Sequence, residues 1–128
     1  MKVLIDTHAL TWAVDNPEHL GSQARAMMDD SSNELLFSSG SIWELAIKVG
    51  LAKLTLSLPF RSWMNQAIQD LRLTILPITV ECAGVQSALE YHHRDPFDRL
   101  LVAHARVENA PLLSSDPVFD QYGVKRVW

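Results

Sequence analysis

The sequence predicts an α/β domain around a mostly parallel sheet, and three observations predict it. Short unbroken runs of Val, Leu, Ile and Phe recur along the 128 residues, as in strands buried on both faces. Segments with the apolar spacing of helices lie between them, and strands alternating with helices are the mark of a parallel sheet covered by helices. Hydrophobic residues make up 48 %, enough for a core, and no repeat, linker or low-complexity tract divides the chain. Residues 1–128 therefore read as a single domain.

The elements follow in order. KVLI (2–5) is a first buried strand that stops at Asp6. HALTWAV (8–14) starts a short helix. Asn16-Pro17 is a stop and restart signal, with Asn16 as cap and Pro17 in the first position of a second helix through LGSQARAMM (20–28). ELLFSS (34–39) is a second strand, and SIWELAIKVG (41–50) a helix closed by Gly50. KLTLSLP (53–59) alternates and suggests a small extended piece. FRSWMNQAIQDL (60–71) is an amphipathic helix, and LTILPI (73–78) a third strand. TVECAGVQSALEYHH (79–93) and DPFDRLLVAHARVEN (95–109) are two more helices. LLSS (112–115) is a fourth strand and VKRVW (124–128) a fifth, at an edge.

Charge and cysteine count narrow the function classes. The net charge of −4 argues against a protein that grips nucleic acid by bulk charge. Metal ions held by clustered carboxylates can still supply local positive charge. Cys82 is the only cysteine, so there is no disulfide framework and no thiolate metal cluster, and a free thiol fits a reducing compartment. No apolar stretch reaches the ~18 residues of a membrane span. The start, MKVLIDTHAL, lacks a long apolar region and a cleavage site, and reads as a cytoplasmic one.

Ligands of parallel sheets bind beyond the carboxyl ends of the strands. Those ends deliver Asp6, then Ser38 to Ser41 with Glu44 shortly after, then Ser114, Ser115 and Asp116. Each acid also has a structural alternative. Asp6 and Asp116 suit turns. Glu44 closes a capping box with Ser41 and makes a helical pair with Lys48. In DPFD, Asp95 is a good N-cap and Pro96 a good first helical residue. Asp98 differs. With Phe97 at 0° on a helical wheel it falls at about 100°, between Leu101 at about 40° and Val102 at about 140°. A carboxylate in an apolar arc requires a metal ion or a basic side chain. Four such acids around one cleft repel each other without cations, and hard oxygen donors suit Mg²⁺ or Mn²⁺.

Four segments carry a resemblance over nearly the whole chain: LIDTHALTWAV (4–14), SSGSIWELAIKVGLAKL (38–54), HRDPFDRLLVAHA (93–105) and LLSSDPVFDQYGV (112–124). In this order, the sequence resembles the PIN-domain ribonucleases, most closely the VapC-type toxins of bacterial type II toxin–antitoxin pairs. The resemblance implies a PIN-like three-layer α/β/α fold and a metal-dependent endoribonuclease, a hydrolase of RNA phosphodiesters. It implies that Asp6, Glu44, Asp98 and Asp116 hold one or two Mg²⁺ or Mn²⁺ ions that activate a water for in-line attack, leaving 5′-phosphate and 3′-hydroxyl ends. Ser114 takes the place of the family's Thr or Ser that orients a carboxylate or a water. The resemblance also implies an RNA substrate, a homodimer and a small antitoxin partner, which places an apolar and basic segment on the toxin.

Trp12, Trp43 and Trp63 suit either that antitoxin groove or the core. His8, His92, His93, Lys48, Arg94 and Arg99 read first as surface or helix-end groups, with RNA contact as the functional alternative. Two rival functions remain. A receiver-like phospho-acceptor domain would show paired acids after its first strand and a lysine after its last, and neither is present. A catalytically silent PIN-like module binding RNA or protein would lack one of the four acids.

Overall fold

The computed structural model describes residues 1–128. Five strands form one sheet: β1 (Lys2–Ile5), β2 (Glu34–Ser38), β3 (Thr74–Leu76), β4 (Leu112–Leu113) and β5 (Arg126–Val127). Their order is β3-β2-β1-β4-β5, and every pairing is parallel. The flavodoxin-like order of receiver-type domains is 2-1-3-4-5, so that rival topology is excluded. Six helices complete the chain: α1 (Thr7–Asp15), α2 (Ser22–Asp29), α3 (Ser39–Gly50), α4 (Phe60–Leu71), α5 (Val80–Ser87) and α6 (Pro96–Glu108). Short 3₁₀ turns cover Pro17–His19 and Pro117–Tyr122.

The strands are apolar throughout because both faces are covered. Val3, Ile5, Leu35, Phe37 and Leu113 pack with Leu10, Leu45, Trp63 and Met64 from α1, α3 and α4. Leu4, Leu36 and Leu112, one residue out of phase, pack with Leu101, Val102 and Ala105 of α6 and with Phe119 and Tyr122. The period of two thus divides one sheet between two helical layers, giving the expected three-layer α/β/α sandwich. Parallel pairing puts the carboxyl ends of β1, β2 and β4 on one edge. No helix is long and apolar enough to cross a membrane.

Several local expectations are corrected. α3 starts at Ser39, not Ser41, because the Ser38 hydroxyl caps it by accepting from Gly40 N–H at 3.0 Å. Ser41 is then inside the helix, and its capping box with Glu44 does not form. Gly50 is only the last helical residue, and the left-handed turn falls at Ala52, φ 56°. The Asn16 side chain makes no cap bond, the restart is a single 3₁₀ turn, and the next helix waits until Ser22. Residues 53–59 form no strand; Ser57 is instead tied to Asp15 through its N–H and its hydroxyl. The helix expected over 79–93 ends at Ser87. At that end Arg99 donates to the carbonyls of Gln86, Leu89 and Glu90, and the Gln86 carbonyl also takes the Leu89 N–H in a closing turn.

A polar joint fixes α6 against the start of α3. The His104 ring binds Ser38 Oγ through Nε2 at 2.9 Å and lies 3.5 Å from Cys82 Sγ through Nδ1, all three residues being buried. Burial holds the imidazole below its usual pKa. A Cβ at Gly40 would meet Leu100 Cδ2 at 2.3 Å, so the two helices touch where α3 begins. This joint sets the spacing between the helices that carry Glu44 and Asp98.

Candidate active site

β1 ends at Ile5, and Asp6 is the N-cap of α1, its Oδ1 accepting from Ala9 N–H at 2.7 Å. Its own N–H donates to the Leu113 carbonyl of β4 at 3.1 Å, which fixes the cap to the sheet edge. Ser114, fully buried, stands beside the Asp6 carboxylate and lowers its pKa, and its Oγ accepts from Asp116 N–H at 3.1 Å. Ser114 thus ties the Asp116 backbone to the strand end beside Asp6. Glu44 reaches the same cleft from α3. Thr7 Oγ1 donates to its Oε1 at 2.5 Å, and Lys48 Nζ lies 3.2 Å from its Oε2.

Asp98 is the third residue of α6, which Asp95 caps by accepting from Phe97 and Asp98 N–H, with Pro96 first. Its side chain is 24 % exposed and lines the cleft, so it opens on a groove at the end of an arc whose other members, Leu101, Val102 and Ala105, pack in the core. The basic partner demanded of it is His93, whose Nε2 lies 3.1 Å from Oδ2. Asp116 is exposed and caps the 3₁₀ turn that follows, accepting from Val118 N–H at 2.9 Å.

All four acids line one cleft of about 440 Å³. Its electrostatics are one-sided: Asp6, Glu44, Asp95, Asp98 and Asp116 line it, against a single lysine, Lys48. Burial raises the pKa of Asp6, with the Glu44 charge adding to it and Ser114 and the Ala9 bond opposing. Asp98 is pushed up to about 6, first by burial and then by the charges of Asp95 and Glu44, against the His93 bond. Carboxylates held above their ordinary range, first by burial and then by neighbouring negative charge, are a donor set short of positive charge. Hard oxygen donors in that condition fit Mg²⁺ or Mn²⁺. The side chains are not gathered into a ready-made cluster of three or more ligands. Each of three is instead held by a protein donor: Asp6 by Ala9 N–H, Glu44 by Thr7 and Lys48, Asp98 by His93.

Other expected contacts divide. His8 and Trp12 line the cleft. Trp43 is 63 % exposed and stands edge-on to Phe97. Trp63 belongs to the core, 1 % exposed, with its indole N–H on the Asp15 carboxylate. Arg99 is no solvated charge but is 3 % exposed, because carbonyls and tyrosines receive it inside the fold. His93 touches Asp98 and Tyr122 rather than open solvent. Sequence reasoning missed Thr7 as a Glu44 donor, although a hydroxyl beside the first strand-end acid was its signal. No periodicity signals His93, which lies outside the helix.

The PIN domain family model matches residues 3–125. Ribonuclease VapC22 of Mycobacterium tuberculosis is 28 % identical over 114 residues, 89 % of this chain and 86 % of that protein. The crystal structure of VapBC2 from Rickettsia felis bound to a DNA fragment from their promoter holds a chain with TM-score 0.73 and 18 % identity. That match covers 99 % of this chain and 98 % of the other. FitAcB from Neisseria gonorrhoeae gives TM-score 0.68 at 17 % identity, covering 100 % and 97 %.

Proposed function

The chain belongs to the PIN-domain family, and from that premise we propose that it is a metal-dependent endoribonuclease, the toxin of a type II toxin–antitoxin pair. One observation carries the reading: Asp6, Glu44, Asp98 and Asp116, far apart in sequence, line one cleft at the carboxyl edge of the sheet. The name of the ribonuclease relative and the complexes in which the structural neighbours stand support it.

Asp6, Glu44 and Asp98 are the ligands of one or two Mg²⁺ or Mn²⁺ ions, with Asp116 as a fourth at the exposed rim. Such ions neutralise phosphodiester charge and make water a nucleophile at neutral pH. Ala9 N–H fixes the direction of Asp6. Thr7 and Lys48 hold Glu44, and Lys48 is the cleft's own cation for an RNA phosphate. The excess of carboxylates also suits an antitoxin that brings Arg or Lys into the cleft, which electrostatic complementarity favours. The protein is expected to be a homodimer in the cytoplasm. A silent binding module gains no support, since none of the four acids is missing.

The test is cleavage of total cellular RNA by antitoxin-free protein with Mg²⁺, with Mn²⁺ and with chelator, beside Asp98→Asn. Discrete fragments that need metal and vanish in the variant are expected. Fragments that survive both chelator and substitution, or no cleavage under any condition, would sink the reading.

A further inference from the structure

Asp98 is held by a side chain with a further chain of bonds behind it. The chain starts at Arg99, buried and without an ion-pair partner, whose permanent charge is met by the carbonyls of Glu90 at 2.8 Å, Leu89 at 3.3 Å and Gln86 at 3.4 Å. Arg99 also lies 3.8 Å over the exposed Tyr91 ring. Its Nη1 donates to the hydroxyl of Tyr122 at 3.2 Å, and Tyr122 is buried too.

That hydroxyl has one proton to give. It already accepts from Arg99 and from the backbone N–H groups of His92 and His93, both at 3.4 Å. Its remaining partner is His93 Nδ1 at 2.8 Å. A guanidinium and an amide can only donate, so the tyrosine proton goes to Nδ1. Nδ1 is then the acceptor of the ring, and the ring proton sits on Nε2, 3.1 Å from Asp98 Oδ2. Every bond from Arg99 to Asp98 thus points the same way. Oδ2 of Asp98 takes this bond, and no protein group bonds Oδ1.

We propose that His93 is a positioning residue of the cleft, locked in its Nε2–H tautomer by Tyr122 and Arg99, and that it presents Asp98 to the metal through Oδ1. The proposal rests on the metal-site reading above. It assigns to His93 the kind of role that outer partners of metal ligands play, where a fixed tautomer aims a neighbouring ligand. It also explains why Arg99 is buried without a carboxylate: three carbonyls meet its guanidinium, and a fourth N–H goes to Tyr122. Tyr122 comes from the turn after β4 and His93 from the segment before α6, so the chain of bonds ties Asp98 to two segments outside its own helix.

The test is Mn²⁺ binding followed by the electron spin resonance of the free ion, on the full chain. Wild type, Asp98→Asn, His93→Ala, His93→Gln and Tyr122→Phe are compared, with ¹⁵N spectra of the His93 ring in wild type and Tyr122→Phe. Loss of an outer partner costs about 10- to 100-fold in metal affinity. His93→Ala is expected to weaken Mn²⁺ by that much, and His93→Gln, which keeps an N–H donor, to recover part of it. Tyr122→Phe keeps the ring packing and loses only the hydroxyl, so it should turn a single Nε2–H tautomer into a mixture and weaken Mn²⁺ less. A wild-type ring in the Nδ1–H form would overturn the proposal. So would wild-type affinity in both His93→Ala and Tyr122→Phe while Asp98→Asn loses the ion, an outcome that leaves the metal site standing. Absence of Mn²⁺ binding by wild type would instead bring down the metal-site reading and the proposal with it.

Discussion

Helix α1 carries an aspartate at each end, and the two have opposite chemistry. Asp6 caps its start and Asp15 closes it. Asp15 accepts from Ser57 N–H at 3.0 Å, from Ser57 Oγ at 2.6 Å and from Trp63 Nε1 at 3.1 Å. Burial pushes its carboxyl up, but those three donors outweigh it and hold the group below the usual range. Asp6 has the favourable end of the helix dipole and the Ala9 N–H, with Ser114 also lowering its pKa. Burial still wins there, with Glu44 repelling, and the group lies above the usual range. Asp15 is a finished joint between α1, the 53–59 segment and α4. Asp6 and its neighbours are short of positive charge, as befits groups whose partner comes from outside the protein.

The largest effect that could break this contrast is on catalysis. Asp6→Asn or Asp98→Asn should lower RNA cleavage by on the order of 10³-fold, since a metal ligand controls several kcal/mol of transition-state stabilisation and each 1.4 kcal/mol is tenfold. Asp15→Asn should leave the cleavage rate within about twofold, measured under the same metal conditions. Equal losses at both ends of the helix would erase the distinction.

Stability should show the reverse. Asp15→Asn weakens hydrogen bonds to a charged acceptor and should cost about 1 to 3 kcal/mol in urea unfolding. Without metal, Asp98→Asn should leave stability at pH 7 unchanged or higher, because it removes a repelled charge.

The pH dependence sharpens the comparison further. Asp98 has a folded pKa of about 6 against ~3.9 for an unfolded Asp, so between those values the native state binds more protons and its stability falls as pH rises. Asp15 is lowered on folding, so its contribution is complete above ~3.9 and is lost as pH falls through its folded value. Metal-free melting curves should lose the decline between about pH 4 and 6 in Asp98→Asn, and lose part of the acid-side decline in Asp15→Asn. The smallest effect is Trp63→Phe, which keeps an aromatic ring in the core and removes one donor to Asp15. It should cost about 1 kcal/mol or more, with cleavage unchanged.

Much of this was legible in the sequence because it follows from periodicity. The runs KVLI and ELLF announce strands buried on both faces, and the wheel of 95–109 separates Asp98 from Asp95. Strand ends place Asp6, Glu44 and Asp116 on one edge without any knowledge of contacts. What stayed hidden depends on partners distant in sequence. Arg99 reads as a solvated charge until the carbonyls at the end of α5 and the Tyr122 hydroxyl are seen around it. The same carbonyls lie around Ser87, where the 79–93 segment stops being helical. The Ser41–Glu44 capping box is a correct local pattern overruled by Ser38, whose hydroxyl is fixed by His104, 66 residues away. Trp63 suits groove or core equally in the sequence, and its burial with Asp15 on its indole N–H decides for the core.

The most direct test of the central claim is thermal unfolding with increasing Mn²⁺, read on wild type, Asp98→Asn and Asp15→Asn. A ligand that binds only the native state stabilises it by RT ln(1 + L/Kd) at free ligand concentration L, so the melting temperature keeps rising with ligand concentration. Wild type and Asp15→Asn should both gain melting temperature with Mn²⁺, from different starting points, while Asp98→Asn gains little. Equal gains in all three, or none in wild type, would contradict a cleft built to be completed by a divalent cation.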